Sequence, residues 1–90
     1  MKLKMTIETW SKGSWYVAKC PELDFISQGA TPEEAKRNLL EVVDIQFEEM
    51  TETGTLHDYL QECGYHIEGD TAIPMSEIVG FEKQAIQVTA

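Results

Sequence analysis

The sequence predicts an α+β domain in which one long helix covers a sheet of short antiparallel strands. Residues 31–52 repeat their apolar positions with the period of an amphipathic helix, and the residues ahead of them alternate between apolar and polar side chains as strands do. A chain of 90 residues forms one domain with a modest core. Residues 1–90 are therefore treated as a single domain, in which residues 51–90 are the less regular part.

The predicted helix begins with a strong start signal. Thr31 is a favourable N-cap, Pro32 suits the first helical position, and Glu34 completes a T-x-x-E capping box. Gly54 is a natural terminator after a helix of about 22 residues, roughly 33 Å long. The apolar side chains that should face the sheet fall within one arc of this helix and are Ala35, Leu39, Leu40, Val42, Val43, Phe47 and Met50.

Strands are predicted ahead of the helix at residues 2–9, 15–20 and 25–28. The turn at residues 11–14 should join the first two strands into an antiparallel hairpin. We expect Trp10 and Trp15 to be in contact across it, and a binding surface is the less favoured alternative for these two side chains. Pro21 interrupts the ladder before the third strand, since it has no N–H to donate. The side chains of the second strand that should meet the helix are Tyr16, Ala18 and Cys20.

The pattern after the helix is weaker. The elements predicted there are a short helix at residues 56–63, a small hairpin at residues 65–67 and 72–73, and a loop or one helical turn at residues 76–81. Residues 84–89 alternate again, with Ile86 and Val88 on one side. We predict that they close the sheet as its last strand.

Charge is divided unevenly along the chain, whose formal net charge is −9. Residues 1–37 hold six basic and five acidic side chains, whereas residues 38–82 hold eleven acidic side chains and no lysine or arginine. A nucleic-acid-binding surface needs a basic footprint, so direct binding of nucleic acid is not expected. An acidic surface fits a basic protein partner, although solubility alone is the simpler explanation.

One acidic pattern is explained poorly by solubility. Asp44, Glu48 and Glu52 repeat at i, i+4 on the predicted outer face of the helix, and no basic residue opposes them. Each such like-charge pair costs a few tenths of a kcal/mol. Ile45 lies at the edge of this face. An ordinary solvated helix face is the simpler interpretation, and a face that binds a basic partner is the alternative on which the predicted contact residues are based.

No arrangement of residues predicts catalysis. His57, Cys63 and His66 include a Cys-x-x-His spacing, which is weak as a metal motif, and the sequence has no phosphate-binding or dinucleotide-binding glycine motif. We therefore expect no enzyme activity, no cofactor and no metal. A small hydrolase or metal-dependent nuclease that uses Glu22, Asp24 and one of these histidines is the less favoured alternative.

The sequence also indicates in which cellular compartment the protein is expected. Cys20 and Cys63 are too few for a disulfide framework, and we expect both to be reduced, apolar side chains. No apolar run approaches the roughly 18 residues of a membrane span, and the N-terminus lacks the apolar region of a signal peptide. We expect a cytoplasmic protein that does not contact membranes.

The N-terminal half resembles the HicB-type antitoxin family. The resemblance rests on the hairpin that ends in W-Y-V-A-K-C-P-E-L and on S-Q-G-A-T-P-E-E-A leading into the helix, and it covers about residues 1–50. The loop at residues 21–25 lacks the second proline and the glycine that the family often has. The resemblance implies a partial, degenerate ribonuclease-H-like fold of order β-β-β-α-(α)-β, with the long helix on one face and the last strand beside the first.

The resemblance also implies a function. The chain would be a HicB-like antitoxin or an orphan relative, a stand-alone N-terminal domain without a DNA-binding tail, that binds and masks a small basic HicA-like toxin that cleaves mRNA. We expect self-association into a dimer or tetramer through an unpaired sheet edge or through apolar helix surface that the sheet leaves uncovered. The alternative is an oligomeric adaptor domain with no toxin partner. The residues predicted to contact the toxin are Glu22, Asp24, Asp44, Glu48 and Glu52.

Overall fold

A computed structural model of the chain describes residues 1–89. These residues form six strands and two helices, in the order β1 (Lys2–Leu3), β2 (Glu8–Ser11), β3 (Tyr16–Cys20), β4 (Phe25–Gly29), α1 (Pro32–Thr53), α2 (Leu56–Glu62), β5 (Tyr65–Glu68) and β6 (Thr71–Pro74). The long helix α1 packs mainly on β3 and β4. The predicted α+β class is confirmed.

The strands belong to two three-stranded sheets. β2, β3 and β4 form an antiparallel meander in chain order, while β6 lies between β1, to which it is parallel, and β5, to which it is antiparallel. The predicted strand at residues 2–9 is therefore divided between the sheets. At the division the backbone N–H of Thr6 donates to a carboxylate oxygen of Glu22 at 2.9 Å, so this N–H is not available to a ladder.

The β2–β3 hairpin forms as predicted, but its tryptophans do not make the expected contact. Trp10 lies opposite Val17, and within residues 1–89 no aromatic contact joins it to Trp15. The Nζ atoms of Lys12 and Lys19 lie 5.5 and 5.2 Å from the centre of the Trp10 ring. The Trp10 ring therefore has the ammonium groups of two lysines as neighbours, where contact with the Trp15 indole was predicted.

Helix α1 begins and ends where the sequence predicts. The hydroxyl of Thr31 accepts a hydrogen bond from the backbone N–H of Glu34 at 3.1 Å, which satisfies one of the free donors of the first turn. Gly54 follows the helix with φ = 73°, a left-handed conformation that glycine adopts without strain. Both signals are local, which is why the sequence alone locates this helix.

The core lies between α1 and the inner face of the β2–β3–β4 sheet and continues under α2 and β6. Its fully or almost fully buried members are Ala18, Cys20, Leu23, Ala35, Leu39, Val43, Leu60, Tyr65 and Ala72. Gly29 permits the close approach of β4 to α1, because a Cβ at this position would lie 2.6 Å from the backbone nitrogen of Ala35. Ala18 and Cys20 face the helix as predicted.

The second half of the chain is attached to the first by two tyrosines. The hydroxyl of Tyr65 donates to the carbonyl of Lys4 at 2.8 Å, and the hydroxyl of Tyr59 donates to the carbonyl of Leu23. The helix predicted at residues 56–63 is α2, and the predicted small hairpin is β5–β6. Within residues 1–89, no helix has both the length and the apolar character needed to cross a membrane.

The prediction of a closing strand at residues 84–89 is wrong. The strand that lies beside β1 is β6, with Lys2 opposite Thr71 and Leu3 opposite Ala72. Residues 84–89 form no regular structure, and Ile86 and Val88 are 78% and 80% exposed. Alternation gives a segment the potential to form a strand, but β6 already occupies the edge of β1.

Candidate protein-binding surface

The candidate surface is built on the outer face of α1. Asp44, Glu48 and Glu52, here called the acidic stripe, are all exposed, as the helical spacing predicts. The helix turns its opposite side, with Ala35 and Leu39, into the core. The only ion pair within residues 1–89 joins the Met1 amino group to Asp70, so no carboxylate of the acidic stripe forms an ion pair in this part of the chain.

Exposed apolar side chains border the acidic stripe on both sides. Leu40 is 38% exposed and Ile45 is 61% exposed. On a helical wheel, Leu40 lies about 40° from Asp44 and Ile45 lies about 20° from Glu52, at opposite edges of the stripe. Leu40 was predicted to face the sheet with the other apolar residues, but it lies at the border of that arc. The surface therefore combines a row of carboxylates with apolar area that a partner can cover.

Glu22 has a structural role that the sequence did not predict. Its carboxylate accepts hydrogen bonds from the backbone N–H of Thr6 at 2.9 Å and from the Thr6 hydroxyl at 2.6 Å, and the Cys20 thiol lies 3.6 Å away. Burial opposes ionisation of Glu22, but these hydrogen bonds outweigh it, so its pKa lies below the usual value. The contact between Glu22 and a toxin stays a prediction. In the folded chain, the Glu22 carboxylate is already hydrogen-bonded within the domain.

Asp24 is exposed in the same loop and has φ = 57°, a left-handed conformation that aspartate tolerates better than most residues. Its neighbours fix the loop in place. The Leu23 side chain is fully buried, and the Phe25 ring stacks on Tyr59 with 5.9 Å between ring centres. Asp24 is therefore held on a rigid loop, and no hydrogen bond or ion pair within residues 1–89 joins it to the acidic stripe.

The residues proposed for the alternative chemistry lie in the loop after β3, in and just after α2, and in β5. Within residues 1–89 no group of three or more histidine, cysteine or acidic side chains is placed to hold a metal ion. His57 and His66 are exposed, and the Cys63 thiol is free. A shallow cleft is lined in part by Glu22, Cys63 and Tyr65. Its volume of about 350 Å³ is near the lower limit for a site that binds a small molecule.

Two titratable side chains next to this loop, Cys20 and Tyr59, have raised pKa values. Burial raises the pKa of the Cys20 thiol to about 11, and the nearby charge of Glu22 adds to the effect. Burial likewise raises the pKa of Tyr59 to about 12. At neutral pH these groups are protonated, so Cys20 is a small apolar core residue and Tyr59 is a hydrogen-bond donor.

Sequence reasoning did not find the roles of Tyr59 and Tyr65. The available signal was that a buried tyrosine needs a partner for its hydroxyl, but the partners are backbone carbonyls far away in the chain.

Comparisons with protein-family models, with curated proteins and with solved structures gave no significant match. The resemblance to the HicB family therefore rests on the hairpin and helix-start residues alone.

Proposed function

We propose that this chain acts by protein–protein contact, as a HicB-like antitoxin that masks a small basic ribonuclease toxin. The observation that carries the proposal is the acidic stripe, which is exposed, bordered by apolar side chains and without an ion pair within residues 1–89. The masking would take place in the cytoplasm, where the mRNA substrate of such a toxin is found. No catalytic step is assigned to this chain.

Electrostatics support a cationic partner. Three carboxylates in one row repel each other along the helix. A basic partner surface would attract all three and offset that repulsion. Complementary charge also speeds encounter, which suits an inhibitor that must reach a toxin before the toxin reaches RNA. A surface that binds RNA phosphates is positively charged, so the same surface is suited to the acidic stripe.

The construction of α1 supports binding as well. The helix is capped at both ends and its inner side is fixed in the core, so the acidic stripe is presented in one geometry. A preformed surface loses less conformational entropy on binding than a flexible one. Leu40 and Ile45 add apolar area beside the charges, which gives the mixed composition found at protein interfaces.

Inhibition of RNA cleavage tests this proposal. A HicA-type ribonuclease, taken first from the gene adjacent to this one, is incubated with RNA and increasing amounts of this chain. The unmodified chain should stop cleavage at equimolar concentration. The variant Asp44→Lys/Glu48→Lys should bind at least about tenfold more weakly at low salt, because attraction is replaced by repulsion.

The matched control is Glu62→Lys/Glu68→Lys, which makes the same change in net charge at two exposed carboxylates away from the acidic stripe. This variant should inhibit almost as well as the unmodified chain. Equal weakening by both variants would mean that net charge matters and the acidic stripe does not. If the unmodified chain neither binds the toxin nor slows cleavage, the antitoxin function is refuted.

A further inference from the structure

The C-terminal arm, defined as residues 75–89, exposes an unusual amount of apolar surface. It contains no helix or strand, and its large apolar side chains are 41–96% exposed: Met75, Ile78, Val79, Phe81, Ile86 and Val88. The end of the arm alternates, with Ile86 and Val88 on one side and Gln87 and Thr89 on the other. Alternation of this kind is typical of a strand that is buried on one side.

The overall dimensions show how far the chain departs from a closed domain. Its accessible surface is 6810 Å², about 1,500 Å² more than the roughly 5,300 Å² expected for a compact monomer of 10.2 kDa. Its radius of gyration is 15.7 Å, against about 12 Å for a compact domain of this length. The excess on one chain is about twice the roughly 800 Å² that each partner buries in a protein interface of standard size.

A second exposed apolar surface lies on the side of the β2–β3–β4 sheet that faces away from α1. We name it the outer sheet patch, and its exposed members are Trp10 and Ile26, which are 47% and 57% exposed. The strand register places Trp10 and Ile26 on the same face as Val17 and Lys19, opposite to Ala18 and Cys20 in the core.

The charges of the two surfaces are complementary. In a chain of net charge −9, the outer sheet patch carries Lys12 and Lys19 beside the Trp10 ring, against the single carboxylate of Glu8, which accepts a hydrogen bond from the Trp10 indole at 3.2 Å. The charged residues of the C-terminal arm are Glu77, Glu82 and Lys83, so the arm is net acidic. Placing the arm on the patch pairs opposite charges around an apolar contact.

We propose that the C-terminal arm of one copy docks on the outer sheet patch of a second copy, and that the exchange is reciprocal in a two-fold dimer. The arm leaves the patch of its own copy exposed, which is the arrangement expected of a segment whose binding site lies on another chain. Reciprocal exchange covers the C-terminal arm and the outer sheet patch of both copies. No arm or patch is then left to bind a third copy. The proposal does not depend on the antitoxin function.

Sedimentation velocity of the full chain at concentrations from roughly 1 to 100 µM tests the exchange. This range is suitable because interfaces of standard size have dissociation constants that are micromolar or lower. The unmodified chain should form a dimer. Ile86→Asp/Val88→Asp should raise the dimer dissociation constant about 30-fold or more, the effect of losing a central interface residue. The control Gln87→Asp/Thr89→Asp adds the same charge on the other side of the arm and should retain the dimer.

Mixing distinguishes exchange from other dimers. The variant Ile26→Asp damages the outer sheet patch at an exposed position and leaves the arm intact, so it should be monomeric alone with an unchanged circular dichroism spectrum. Mixed with Ile86→Asp/Val88→Asp, it should regain association, because one intact arm then meets one intact patch. A monomeric unmodified chain refutes the proposal, as does a dimer that survives either damaging variant. An antitoxin that inhibits as a monomer would refute only the exchange.

Discussion

Replacing Glu22 with glutamine tests the bond network that divides the two sheets. The carboxylate accepts the backbone N–H and the hydroxyl of Thr6, 16 positions earlier in the chain. Glutamine keeps the shape and one acceptor oxygen, but it loses the charge and places an amide donor where the second acceptor was. The substitution therefore weakens both bonds without opening a cavity.

The expected loss of stability is modest and depends on pH. A hydrogen bond to a charged group contributes about 1.5–3 kcal/mol, and Glu22 is half-buried, so we expect Glu22→Gln to lower the free energy of unfolding by roughly 1–2 kcal/mol at pH 7. Because the folded-state pKa of Glu22 is lowered, the unfolded state takes up its proton first as pH falls. The contribution is complete above the unfolded pKa of about 4.3 and is lost as pH falls through the folded pKa.

Urea denaturation at pH 7 and at successively lower pH measures this effect, with Glu68→Gln as the control at an exposed carboxylate. The difference between Glu22→Gln and the unmodified chain should shrink in acid, whereas Glu68→Gln should change little at any pH. Thr6→Val completes a double-mutant cycle, in which the two losses should not add. Equal stability of the two glutamine variants at pH 7, or additive losses in the cycle, would refute the assigned role of Glu22.

Three further predictions follow from single contacts. Gly29→Ala should destabilise the fold by about 3 kcal/mol or more in thermal melts, since its Cβ would overlap the α1 backbone, whereas Gly80→Ala meets nothing and should be neutral. Tyr59→Phe should cost about 1–2 kcal/mol in urea melts because it leaves a loop carbonyl without its donor. Alkylation at pH 8 followed by mass spectrometry should modify Cys63 well before Cys20, whose thiol is buried with a pKa of about 11; equal rates would contradict that burial.

Helix α1 was predictable because its signals are local. Thr31, Glu34 and Gly54 act within a turn of the helix ends, and the apolar arc follows from the helical period alone. The acidic stripe was predictable for the same reason, since spacing at i, i+4 fixes which side chains share a face. Its exposure confirms the geometry of the prediction, while its binding partner stays a prediction.

The division of the first strand was not predictable from residues 2–9. Their alternation is continuous, and the interruption arises from Glu22, a residue that the sequence presents only as a polar member of a loop. A contact between residues so far apart in the chain leaves no periodic trace. For the same reason, sequence reasoning offered Glu22 as a free surface carboxylate, although the folded chain uses it internally.

The misplaced last strand has a related cause. Residues 71–74 and 84–89 both carry β-branched residues in alternation, so either could have been the strand beside β1. The turn at Gly69 places β6 directly after β5, and a hairpin closes over a shorter loop than a distant segment does. Residues 84–89 keep the potential to form a strand and have no partner strand within residues 1–89, which is the basis of the proposed exchange.

The acidic stripe and the outer sheet patch lie on opposite sides of the domain, because α1 and the sheet pack their inner faces together between them. A dimer formed by arm exchange would therefore leave both acidic stripes free. Together, the two proposals predict a complex of two antitoxin and two toxin chains in light scattering, and a one-to-one complex for Ile86→Asp/Val88→Asp. If toxin binding instead dissociated the dimer, the two surfaces would have to overlap, which the separation of helix and sheet faces contradicts.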